Sequence, residues 1–91
     1  MGRKEIEKVV KEVIFEKMGE FTGFNHAAEI DNEDGLATDM AMDSFDYAEV
    51  VMDIEEKIGI RISDDVFGDK PVDELTVGIF ADMLYDWFKS K

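Results

Sequence analysis

The segment richest in chemistry-bearing side chains is Asp43-Ser44-Phe45-Asp46-Tyr47-Ala48-Glu49, and Met52, Asp53 and Glu56 continue its pattern. An aspartate followed by a serine at the head of an amphipathic run is first of all a helix N-cap. In that role Asp43 or Ser44 accepts hydrogen bonds from backbone N–H groups that lack an intrahelical partner. Capping does not require what comes next. Laid on a helix, Asp46, Glu49, Asp53 and Glu56 fall at i, i+3, i+7 and i+10 as one acidic ridge. Tyr47, Val50, Val51, Ile54 and Ile58 form a core stripe, while Phe45, Ala48 and Met52 make a second apolar strip beside the acids. Like charges at such spacings cost a helix roughly a few tenths of a kcal/mol per pair. Lys57 is the only base within the segment to offset them. An acidic ridge edged by exposed apolar side chains fits a basic, partly apolar partner groove. The plainer reading is a solvated acidic face with Met52 as spare core.

Other reactive groups are few. There is no cysteine, hence no disulfide, thiolate metal site or thiol nucleophile. The single His26 excludes a multi-histidine metal centre, and no nucleophile stands at a recognisable spacing from it. Asp31-Asn32-Glu33-Asp34-Gly35 suggests a calcium loop, but setting Gly35 at position 6 puts Ile30 at 1 and Ala41 at 12, where acids are needed. Neither a catalytic residue nor a metal site is expected.

These groups are carried by 91 residues, 23 of them acidic and 10 basic, with a formal charge of −13. Such a field repels nucleic acid and anionic membrane and draws in basic partner surfaces, although acidity also serves solubility alone. The 45% hydrophobic content is that of a folded globule rather than an acidic disordered tail. No apolar run approaches the roughly 18 residues that span a bilayer. Met1 to Glu5 leads into an amphipathic pattern rather than a signal-peptide core. A cytoplasmic monomer is expected.

The pattern predicts an all-α chain: helices at about 4–18, 44–58, 64–68 and 76–89 in a single domain, 1–91. In the first, Ile6, Val9, Val10, Val13 and Ile14 make the buried stripe, Lys17 ends it on its aliphatic stem, and Gly19 is a plausible C-cap. Glu20 to Met42 loses periodicity but keeps Phe21, Phe24, Ile30, Leu36 and Met40, so it reads as a long ordered loop pinned to the core, with a turn of helix near His26–Glu29. Gly59 stops the second helix, and Ile60-Arg61-Ile62 is too short to be a strand. Ser63-Asp64-Asp65 caps a short third helix that Gly68 and Pro71 end. Thr76 or Asp73 caps the last, whose buried face is Val77, Phe80, Ala81, Leu84 and Phe88, widened by Ile79, Met83 and Trp87.

With these elements in order, Asp43-Ser44-Phe45 resembles the Asp-Ser-Leu motif of acyl carrier proteins. The likeness runs on through Asp46, Glu49, Val50, Val51, Met52, Ile54, Glu55, Glu56, Ile58, Ile62, Asp64-Asp65 and Leu75-Thr76-Val77. It implies an acyl-carrier-protein-like four-helix bundle, three helices long and one short, with a long first loop. It implies Ser44, neighboured by Asp43, as the attachment point of 4′-phosphopantetheine, delivered from coenzyme A by a phosphopantetheinyl transferase. A phosphodiester at a helix start gains from the local N–H groups and the helix dipole. Acyl groups would ride as thioesters on the arm to fatty-acid, lipid or polyketide enzymes, and the chain itself would not be an enzyme. Phe45, Asp46, Glu49, Met52, Asp53 and Glu56 would meet the basic docking surfaces of those partners. Phe45 replaces the usual leucine, and Ala41-Met42 stand where the family often has Gly-Ala, a bulkier approach to Ser44. The first loop is longer than usual, and Gly68 to Asp73 departs from the third-helix pattern. These differences suggest a specialised carrier. The alternatives are an aminoacyl or peptidyl carrier, or an unmodified acidic adaptor or divalent-cation-binding module in which Ser44 is only a cap.

Overall fold

A computed structural model of the chain describes residues 2–63, 66 and 71–90. It contains three α-helices, α1 (Arg3–Thr22), α2 (Ser44–Ile58) and α3 (Val77–Lys89), with 3-10 turns at Ala27–Glu29 and Val72–Glu74. No strand occurs among the described residues; one isolated antiparallel bridge joins Gly35 to Thr76. The short helix expected at 64–68 lies outside the described residues.

Helix α1 packs against both α2 and α3. It runs a turn past Gly19, to Thr22, and ends at Gly23, whose φ of 80° is left-handed and whose N–H donates to the Gly19 carbonyl at 3.1 Å. Gly19 is therefore helix interior rather than cap. A Cβ there would come within 3.1 Å of the Phe15 ring, so its missing side chain makes room for that ring. Interior glycine costs about 1 kcal/mol, and Gly23 provides the left-handed stop that ends helices well. Helix α2 has the expected bounds and stops at Gly59, φ 73°. Thr76, rather than Asp73, caps α3: its Oγ1 accepts from the Ile79 N–H at 3.2 Å.

The core is Ile6, Val10, Val13, Ile14 and Met18 of α1, Val50 and Ile54 of α2, and Val77, Phe80, Ala81 and Leu84 of α3. Ile79, expected to widen the buried face of α3, is instead among the exposed apolar residues. After α2, Ile60-Arg61-Ile62 is not a strand, and the Ile62 N–H donates to Glu55 Oε2 at 2.6 Å.

The long first loop is anchored in two ways. Ile30, Leu36, Met40 and Met42 are buried in the same core. Full burial of such side chains contributes about 1.5–3 kcal/mol each, which offsets part of the roughly 1–2 kcal/mol per residue that backbone ordering costs. The loop backbone also supplies the head of α3, where the Val77 N–H donates to the Asp34 carbonyl (2.9 Å) and the Gly78 N–H to the Asn32 carbonyl (2.8 Å). A Cβ on Gly78 would stand 3.0 Å from that Asn32 oxygen, so glycine allows the close approach. The Leu36 N–H donates to the Leu75 carbonyl at 2.9 Å, closing the loop onto the turn before α3.

Candidate functional site

The chain reaches α2 through Met40-Ala41-Met42. Met40 and Met42 are both buried, and the Met42 N–H donates to the Leu36 carbonyl at 3.0 Å. Ala41 between them has φ 57°, the only positive φ outside glycine among the described residues. For an L-residue this left-handed geometry costs on the order of 1 kcal/mol. Met42 therefore does not crowd the approach to Ser44, as its bulk suggests in sequence; its side chain is core.

Asp43 then does the capping. Its Oδ1 accepts from the Asp46 N–H at 2.8 Å, and Asp46 Oδ2 accepts from the Asp43 N–H at 3.3 Å, a reciprocal pair of the capping-box type. The Asp43 carbonyl accepts the first helical bond, from the Tyr47 N–H at 3.0 Å. Ser44 is thus the first helical residue rather than the cap. It is exposed, and no hydrogen bond engages its Oγ among the described residues. The Ser44 and Phe45 N–H groups likewise have no acceptor among them. A free hydroxyl beside open N–H groups, at the positive end of a fifteen-residue helix, suits an ester to an anionic group.

Beyond the cap, Phe45 is 70% and Met52 63% exposed, and Ala48 between them is exposed as well. Met52 is therefore not spare core. Of the ridge acids, Asp46 is committed to the cap. Glu49 and Asp53 receive a cation from the neighbouring helix: Lys17 Nζ lies 3.3 Å from Glu49 Oε1 and 3.7 Å from Asp53 Oδ2. Glu56 is exposed and has no ion pair among the described residues. Lys57, the base that the sequence offers as the ridge's offset, turns the other way. Its Nζ lies 3.1 Å from Glu16 Oε1 and 3.5 Å from Glu12 Oε2, and the hydrogen bond to Glu16 holds its ammonium above the usual lysine range. The two helices exchange lysines, each offsetting acids on the other. Lys17 is the residue that reading the stripe alone misses. Its position at the end of the stripe was the available signal, because a long stem at a helix seam delivers its charge to the neighbour.

Behind the ridge, Tyr47 sits edge-on to Phe80, with ring centroids 5.7 Å apart, and burial pushes its phenol well above the usual range. Trp87 sits edge-on to Phe88 at 5.3 Å and, with Met52, Glu56 and Ile60, borders an open groove at the end of α2. His26 is largely exposed, 3.5 Å from Glu29. Two carboxylates of the 31–35 loop serve the loop itself: Asp31 Oδ1 accepts from the Glu33 N–H and Asp34 Oδ2 from the Asp31 N–H, each at 2.9 Å. Among the described residues no group of three His, Cys, Asp or Glu side chains could hold a metal ion, and no helix is long and apolar enough to cross a membrane.

The family profile described as a phosphopantetheine attachment site matches residues 12–84. The chain is 36% identical over 62 residues to an acyl carrier protein of Saccharopolyspora erythraea, a match covering 68% of this chain and 60% of that protein. It is 33% identical over 60 residues to acyl carrier proteins of two Nitratidesulfovibrio vulgaris strains, covering 66% of this chain and 72% of each. The match thus spans less than two thirds of the Saccharopolyspora protein's own length. No solved structure matches the chain.

Proposed function

This chain belongs to the phosphopantetheine-attachment family, in company with acyl carrier proteins, and from that premise we propose that Ser44 is its attachment residue and the exposed face of α2 its docking surface. The observation that carries the first part is the division of labour at the head of α2. Asp43 satisfies the cap with its own carboxylate, so the Ser44 hydroxyl is left for covalent use. The Ser44 and Phe45 N–H groups favour a phosphate esterified there. When bound, the 4′-phosphopantetheine arm supplies a thiol to a chain that has no cysteine, and holds acyl groups as thioesters. The polypeptide positions that arm and presents it.

Recognition falls to Phe45, Asp46, Glu49, Met52, Asp53 and Glu56, which combine exposed apolar surface with negative charge. That combination suits basic, partly apolar grooves on a phosphopantetheinyl transferase and on the acyl-processing enzymes of fatty-acid, lipid or polyketide synthesis. We read residues 1–91 as one carrier domain working as a cytoplasmic monomer. The Phe45 ring, where an aliphatic side chain is usual, supports a specialised set of partners.

The test is loading. Incubated with coenzyme A and a promiscuous phosphopantetheinyl transferase, the chain is expected to gain one phosphopantetheinyl mass increment, and Ser44→Ala is expected to gain none while keeping its helical circular dichroism. No gain by the native chain, or a gain that survives Ser44→Ala, overturns the assignment.

A further inference from the structure

We propose that Lys17 is a specificity-determining residue of the docking face, an internal cation that occupies the middle of the acidic ridge and competes there with the basic side chains of partners. The inference rests on the reading of the ridge as a docking surface. Lys17 belongs to α1, and its Nζ bridges Glu49 (3.3 Å) and Asp53 (3.7 Å) of α2. Its side chain is only 21% exposed, whereas those of Glu49 and Asp53 are 41% and 46% exposed. The stem is held in the helix seam while the carboxylates it serves remain open to an incoming partner.

The four acids of the ridge are consequently not equivalent. Asp46 gives an oxygen to the Asp43 N–H in the cap. Glu49 and Asp53 share Lys17. Glu56 stands open at the far end, beside the exposed Met52 and the groove that Trp87 borders. A partner arginine or lysine aimed at Glu49 or Asp53 must share those carboxylates with a resident ammonium and is repelled by it. No cation is ion-paired with Glu56 among the described residues: Arg61 borders the same groove without pairing to it, and Lys57 is taken by Glu12 and Glu16. Lys17 thereby disfavours partners that concentrate charge at the centre of the ridge and favours those that reach Glu56 and Met52. Specificity of this kind comes from a repulsive element as much as an attractive one.

The experiment is the steady-state kinetics of coenzyme A-dependent loading of the full apo chain by the transferase, at low and at physiological salt. Lys17→Gln and Lys17→Met, the second keeping an unbranched apolar stem, are expected to lower KM for the carrier about three- to fivefold, the scale of two partly exposed ion pairs. The turnover number should stay unchanged and the effect should shrink as salt screens it. Lys8→Gln removes the same net charge from a side chain that is 78% exposed and 4.0 Å from its nearest acid, and should leave KM near the native value. Unchanged or raised KM in both Lys17 variants, with native-like circular dichroism, overturns the proposal, and so does an equal fall in Lys8→Gln. Glu49→Gln and Glu56→Gln separate the two levels of inference. If neither raises KM, the docking reading fails and the role of Lys17 falls with it. If they raise KM and the Lys17 variants do not lower it, only the role of Lys17 falls.

Discussion

Residues 30–42 and the Phe45–Ala48–Met52 strip of α2 follow one another in the chain and behave in opposite ways. The first has no helical period, yet Ile30, Leu36, Met40 and Met42 are 3% exposed or less. The second has a regular helical period, yet Phe45 and Met52 are 70% and 63% exposed. Periodicity says which side chains share a face; whether that face is covered depends on what lies opposite. The loop finds the head of α3, through the Asn32 and Asp34 carbonyls, and the core beneath it. The strip has a row of carboxylates at its side. Apolar surface left open beside charge is the kind that proteins keep for partners.

The sharpest way to break this contrast is a pair of truncations. Leu36→Ala removes a side chain that is 1% exposed and is expected to cost about 2–5 kcal/mol. That is a large share of the roughly 5–15 kcal/mol available to a small domain. Met52→Ala removes a side chain of similar size from the helix surface and should change stability by less than about 0.5 kcal/mol. Urea unfolding of both variants decides. If Met52→Ala costs as much as Leu36→Ala, the strip is packed in solution and is not a free surface.

The contrast also marks how far the sequence could be read. The three long helices and their buried stripes were legible because each is a local repeat of about 3.6 residues. The loop's anchoring was legible from its apolar content, but its destination was not. Carbonyls such as those of Asn32 and Asp34 cap α3 without any side-chain signature. Gly19 and Gly23 could each have ended α1; the fold distinguishes them by the left-handed φ at Gly23 and the ring of Phe15 against Gly19. At the site, the segment and its exposed strip were legible, whereas the choice of Asp43 over Ser44 as cap was not, since both residue types cap well. Lys17 was legible as the end of a stripe but not as the ridge's cation, because that pairing crosses between helices.

A smaller effect sharpens the loop side. Glu7 accepts from Lys11 at 2.9 Å and pairs with Arg3 at 3.0 Å, and the Asn32 side chain of the loop also helps to lower its carboxyl pKa. The hydrogen bond from Lys11 is the main reason that its carboxyl lies below the ordinary value of 4.5. A lowered carboxyl pKa means that its stabilisation is complete above the unfolded value and is lost as pH falls through the folded one. Glu7→Gln is therefore expected to cost about 1 kcal/mol at neutral pH, and the gap to the native chain should close as pH falls below 4.5. A gap independent of pH would mean that Glu7 contributes through packing rather than through its charge.

The smallest expected change lies where the two regions meet. Ala41 turns the chain from the buried loop into the open face of α2 with a φ of 57°. Ala41→Gly relieves that left-handed geometry, worth about 1–2 kcal/mol, but gives back part of the gain to the more flexible unfolded chain. The balance is a net stabilisation of about 0.5 kcal/mol, or roughly 2–4 °C in Tm for a domain of this size. Because Met40 and Met42 clamp both sides of the turn, the presentation of Ser44 should not change, and loading by the transferase should proceed at the native rate. A stabilised variant that loads more slowly would show that strain at Ala41 is part of how Ser44 is presented. The open face would then depend on the buried loop rather than merely follow it.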